Sequence, residues 1–182
     1  EGRMKGLMAT FPKDRKCKVY LLHGDMSDAE MHAMYTHKDL SAFVAIPHGE
    51  GYGLPIFEAA YSGMPVVSVG WSGQLDFLCN ENGKENFYNV SYDIQKVPEE
   101  VVWPGVLIAE SGWANARETS YKENMRQCFE DLQSNSGHVE KAEMYATELH
   151  ERFEESKMYE KFVSALGLDL EWANDLSKIE IL

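Results

Sequence analysis

HGEGYGLPIFEAAYSGMP, residues 48 to 65, places an alternating glycine loop directly before a short apolar segment with marked ends. Glycines 49, 51 and 53 let the backbone approach a ligand and take up positive φ values that other residues avoid. Pro55 suits the first helical position, where a missing N–H costs nothing, and Gly63 suits the position past the last turn. A helix of about two turns is therefore expected from Leu54 to Ser62. Before the loop, AFVAI (42–46) is a short apolar run of the kind found in strands buried on both faces. After the helix, PVVSVG (65–70) reads as another strand. Strand, loop, helix and strand in succession imply an α/β fold with helices packed on a parallel sheet.

The pattern extends in both directions. CKVYLLH (17–23) reads as a strand, followed by a helix from Ser27. Ser27 and Glu30 form a capping-box pattern, and Met31, Met34 and Tyr35 have helical spacing. On the other side WSGQLDFL starts a short helix with Ser72 as its cap. FYNVSYDI and VLIA read as strands or extended segments around the loop QKVPEEVVWPG. From Ala114 to about Leu166 the pattern is helical, broken once at Ser134 to Gly137. One domain is expected, with a core from about 17 to 167 and a tail at 168–182.

The chain has 182 residues, 44% hydrophobic and 26% charged, ordinary usage for a globular domain. With 30 acidic against 17 basic residues the net charge is −13, and no basic block offsets it, which argues against a nucleic-acid partner. Much of the acid lies in EKAEMYATELHERFEESKMYE, where it reads as a solvated helix face. Cys17, Cys79 and Cys128 form no CxxC pair, so reduced, partly buried thiols are expected. The histidines show no metal-ligand spacing, and no metal is expected. The methionines at 31, 34, 125, 144 and 158 read as core filling. No apolar run is long enough to span a membrane and the start lacks a secretory pattern, so a cytoplasmic location is expected, with peripheral membrane contact left open.

In a parallel sheet, ligands bind at the carboxyl ends of the strands, and the loop after AFVAI is such an end. The start of the following helix offers unpaired N–H groups and partial positive charge, which suit a phosphate or diphosphate. Glu58, one turn into that helix, leans back toward the loop, and its two acceptor oxygens match the paired hydroxyls of a ribose. Glu50 lies on the other side, where a transferable sugar would sit. The same glycines and glutamates also suit a purely structural strand-to-helix turn, and spacing alone leaves both readings open. The alternating glycines are not the G-x-G-x-x-G of a dinucleotide site.

HGEGYGLPIFEAAYSGMPVV carries a resemblance: it is similar to the C-terminal domain of GT-B fold, retaining glycosyltransferases of the family numbered four. Residues 18 to 80 share the pattern, with GDMSDAEMHAMY and WSGQLDFL as flanking support. The resemblance implies a Rossmann-like domain, the C-terminal half of a GT-B fold, that binds a nucleotide diphosphate sugar without metal or other cofactor. An acceptor-binding N-terminal domain is then expected as the missing partner, and the isolated piece should be weakly active or inactive. The implied roles are ribose binding by Glu58, positioning and charge stabilisation of the transferred sugar by Glu50, and backbone contacts to sugar and diphosphate from Gly51, Tyr52, Gly53 and Leu54. Lys5 would neutralise the diphosphate, whereas Arg3 lies too close to it for the family's usual arginine. His48 either polarises a donor group or braces the loop by a hydrogen bond. Ser72, Gly73 and Asp76 are candidates to line the pocket, Trp71 to stack or pack, and Trp103 and Trp113 to pack. A non-catalytic nucleotide-sugar-binding domain, or a GT-B fold epimerase or phosphorylase, would carry the same loop.

Overall fold

The structure is a computed structural model and describes residues 2–134 and 136–167; the tail expected at 168–182 lies outside them. Its centre is a three-stranded parallel sheet, β1 (Phe43–Ala45), β2 (Val66–Val69) and β3 (Tyr88–Val90), in that spatial order. Phe43 pairs with Val66, and Val67 with Tyr88. β2 is the middle strand and all four of its residues are buried.

Helices fill both faces. Before the sheet come α1 (Gly2–Ala9) and α2 (Asp28–Tyr35); between β1 and β2 lies α3 (Leu54–Tyr61), and between β2 and β3 the short α4 (Leu75–Leu78). One core joins Ile56, Ala59 and Ala60 of α3 to Val66, to Phe77 and Leu78 of α4, and to Tyr145 and Leu149 of α6 (His138–Arg152). The other joins Val67, Val69 and Val90 to Cys128 of α5 (Glu118–Gln133) and to Ala114. Even and odd residues of β2 thus enter different cores, as the period of two in a strand requires. α7 (Glu155–Ala165) closes the described chain and buries none of its residues.

The local signals around the glycine loop appear as read. Ser27 and Glu30 close a full capping box at α2. α3 carries its proline in the first turn, and Gly63 follows it at φ +83°. The break at 134–137 separates α5 from α6.

Other expectations are corrected. Residues 17–23 form no strand: Tyr20 is 81% and Leu22 70% exposed, and no described strand stands beside them. The first buried residue is Tyr35. β1 is an edge strand of the sheet rather than one covered on both faces, with Val44 exposed. VLIA is not a strand; the loop before and through it holds a short 3-10 turn at Glu99–Val101 and an isolated bridge between Trp103 and Leu107. β4 (Tyr92–Lys96) pairs instead with β5 (Gly112–Ala116), antiparallel, where a helix was expected to begin. GWANA lacks β-branched residues, and its strand form comes from partners across the hairpin rather than from propensity. A further break at Phe153 and Glu154 separates α6 from α7. Met31 and Met34 pack on the core, but Met125 and Met144 are exposed. Of the thiols, Cys128 is buried, Cys79 half-buried and Cys17 exposed.

Candidate functional site

Adjacent parallel strands end at one edge of the sheet, so the loops after β1 and β2 meet there. The meeting is tight. The carbonyl of Glu50 accepts a hydrogen bond from Ser72 Oγ at 2.7 Å and another from the Gly73 N–H at 3.2 Å. A side chain on Gly73 would place its Cβ 2.0 Å from the Gly51 carbonyl oxygen, so only glycine fits. Ser72 has φ +74°, the one non-glycine residue with positive φ among those described. Such a conformation costs of order 1 kcal/mol or more and persists where the surroundings over-determine it. Here the two bonds to Glu50 do so. Ser72 is therefore a brace for the glycine loop and not the helix cap expected, since α4 follows Gln74 with no side-chain cap.

The loop ends at Gly53, which starts α3 at φ +87° with no side chain capping the helix. The N–H groups of Gly51, Tyr52 and Gly53 bond to no other described residue. A β-carbon on Gly51 would meet nothing within 4 Å, so this backbone faces open space. Free N–H groups, an uncapped helix start and room beside them make a place where an anion can be held. Tyr52 contributes backbone only: its ring packs on Phe57 and Phe77, at 5.8 and 5.1 Å between centroids. Leu54 is exposed at the rim.

Two aromatic contacts flank the loop. His48 stacks on Trp113 of β5, with centroids 4.8 Å apart and rings 3° from parallel. Its Nδ1 lies 3.0 Å from the Ala114 carbonyl, while the Ala114 N–H donates to the His48 carbonyl. A carbonyl can only accept, so Nδ1 carries the hydrogen and Nε2 is left as the other ring nitrogen. The bracing hydrogen bond of His48 is present in the geometry. Trp113 packs, as expected, and packs on a site residue. On the other flank Trp71 leans on Tyr92, at 5.5 Å between centroids, with Gly49 against its indole edge.

Glu58 has a neighbour that sequence reasoning missed. Tyr35 of α2 faces it, and burial first, then the nearby Glu58 charge, push the Tyr35 hydroxyl up to about 12. Glu58 and Tyr35 line a cavity of about 320 Å³ between α2 and α3, together with Asp28 and His32. Tyr35 has the helical spacing of a core residue, and nothing in that spacing distinguishes its ring from its hydroxyl. Asp76 pairs with Arg152 of α6 at 3.1 Å and so ties α4 to that helix. Lys5 sits on α1, which buries no residue.

The structure thus joins Glu50 and Gly51 to Ser72 and Gly73, and His48 to β5, while Glu58 faces α2. No group of histidine, cysteine, aspartate and glutamate side chains suited to a metal occurs among the described residues. No described helix is long and apolar enough to cross a membrane. Compared with known proteins, the chain matches no family model, no curated protein and no solved structure.

Proposed function

We propose that the chain is the nucleotide-sugar-binding half of a retaining, GT-B type glycosyltransferase. The single observation that carries this reading is the cradle at the carboxyl end of β1. Its N–H groups at Gly51 to Gly53 are free, α3 starts uncapped behind them, and the β2 loop holds the Glu50 carbonyl in place.

In this reading the diphosphate lies on the N–H groups of Gly51 to Leu54 and on the start of α3. Glu58 receives the ribose hydroxyls. Its two acceptor oxygens leave room for a diol beside Tyr35, which lines the same cavity. Glu50 approaches the transferred sugar, positioning it and stabilising positive charge at its anomeric carbon. The acceptor would come from a second domain.

The test is calorimetric titration with a nucleoside diphosphate and with the matching nucleotide sugar. Glu58→Ala should weaken both by roughly tenfold or more, about the least worth of one hydrogen bond to a charged group. Glu50→Ala should weaken the nucleotide sugar more than the bare nucleotide. Equal losses at Glu50, or unchanged binding in Glu58→Ala, would remove these assignments. A domain that only holds the donor would bind in the same way, and sugar transfer to an acceptor in the presence of the partner domain separates it from a transferase.

A further inference from the structure

The turn after β2, which holds the glycine loop, is closed by a buried side chain. Gln74 is fully buried, and its Nε2 donates to the Val69 carbonyl at 3.1 Å. A carbonyl can only accept, so the amide nitrogen must face Val69. Val69 ends β2 and Gln74 stands before α4, so the bond ties together the two ends of the segment from Gly70 to Gly73. Ser72 and Gly73, both bonded to the Glu50 carbonyl, lie inside that closed segment.

Folding alone does not call for a carboxamide here. Gln74 Oε1 is buried without a hydrogen-bond partner among the described residues, a condition it shares there with one other side-chain atom, Ser68 Oγ of β2. A buried acceptor left unmatched costs at least as much as one neutral hydrogen bond returns. The Val69 carbonyl also accepts from the Trp71 N–H at 2.9 Å, so it would stay paired if the carboxamide were gone. An apolar side chain of the same length would therefore fold the turn at no loss. What the carboxamide adds is a fixed separation between Val69 and Gln74, and with it the placing of the Ser72 hydroxyl and the Gly73 N–H against the Glu50 carbonyl.

We infer that Gln74 is a positioning residue of the loop site, kept for the geometry of the brace rather than for folding stability. Its effect on a ligand rests on the nucleotide-sugar reading, whereas its effect on the brace does not. The test compares Gln74→Met with Ser68→Ala, which removes the other unmatched atom but no bond to the turn. Urea denaturation should give both variants at least the stability of the parent chain. Hydrogen exchange of the Gly73 amide should quicken about tenfold in Gln74→Met and stay as it is in Ser68→Ala, with the β2 amides protected in both. Uridine diphosphate and guanosine diphosphate, titrated separately by calorimetry, are the binding probes. The affinity of whichever binds should fall about fivefold in Gln74→Met and hold in Ser68→Ala. A Gln74→Met chain that loses stability would make Gln74 a folding strut and overturn the inference, as would unchanged exchange at Gly73 or an undiminished affinity. If the parent chain binds neither diphosphate, the nucleotide-sugar reading fails, and exchange at Gly73 still decides the role of Gln74.

Discussion

PVVSVG at 65–70 and CKVYLLH at 17–23 are both short, apolar and rich in strand-forming residues. The first becomes β2, with parallel neighbours on both sides and cores on both faces. The second pairs with nothing among the described residues and leaves Val19, Tyr20, Leu21 and Leu22 exposed. Strand propensity is a measure of fit to a pleated, half-buried surface, and it acts only where neighbours supply that surface. A loop behaves in the same way: the glycine loop after β1 is held by partners outside it, the loop after β2 among them.

This contrast can be broken at its strongest point. Val67→Asp would bury a charge with no partner in the middle strand and should cost more than about 4 kcal/mol, enough to unfold a marginal domain. Leu21→Asp, in a segment 53% exposed at that residue, should change stability by less than about 0.5 kcal/mol. Urea denaturation measures both. Comparable losses would show that 17–23 is held by packing after all.

Gly73→Ala sharpens the link between the two loops. Its β-carbon cannot sit 2.0 Å from the Gly51 carbonyl, so the loops must part. A cost of about 1–3 kcal/mol is expected by denaturation, as for other overpacked sites, together with loss of nucleotide binding. Unchanged binding would mean that the brace does not shape the cradle.

The smallest effect concerns Asp131 on α5, which joins Tyr88 of β3 to His138 of α6. Burial alone would raise the Asp131 carboxyl, but hydrogen bonds from Tyr88 and Gln127 and the charges of His138 and Lys141 outweigh it and hold it below the usual carboxylate range. A depressed folded value contributes stability that is present above the unfolded value, about 3.9, and is lost as pH falls through the lower folded value. Asp131→Asn should therefore flatten the acid limb of stability below about pH 4. An identical acid limb would show that the pairing carries no folding energy.

Much of the site's frame was legible because its signals are local. The capping box at Ser27 and Glu30, the proline at the start of α3 and Gly63 after its end are each decided within a few residues. What was not legible depends on partners distant in sequence. Ser72 looked like a cap because serine often is one, and only the Glu50 carbonyl, 22 residues away, makes it a brace. The placing of Tyr35 beside Glu58 and the stacking of Trp113 on His48 join separate elements in the same way. GWANA turned into a strand because β4 lies opposite it. Exposed Met125 and Met144 show the converse, apolar residues at helical spacing with no partner face to enter.

The central claim is that the free N–H groups after β1 and the start of α3 hold a diphosphate. It is tested most directly by following backbone amide resonances while a nucleoside diphosphate is titrated in. The account predicts that Gly51, Tyr52, Gly53 and Leu54 shift together and saturably, with Ser72 and Gly73 following through their bonds to Glu50. Saturable binding that leaves these amides unmoved, or no binding at all, would contradict it.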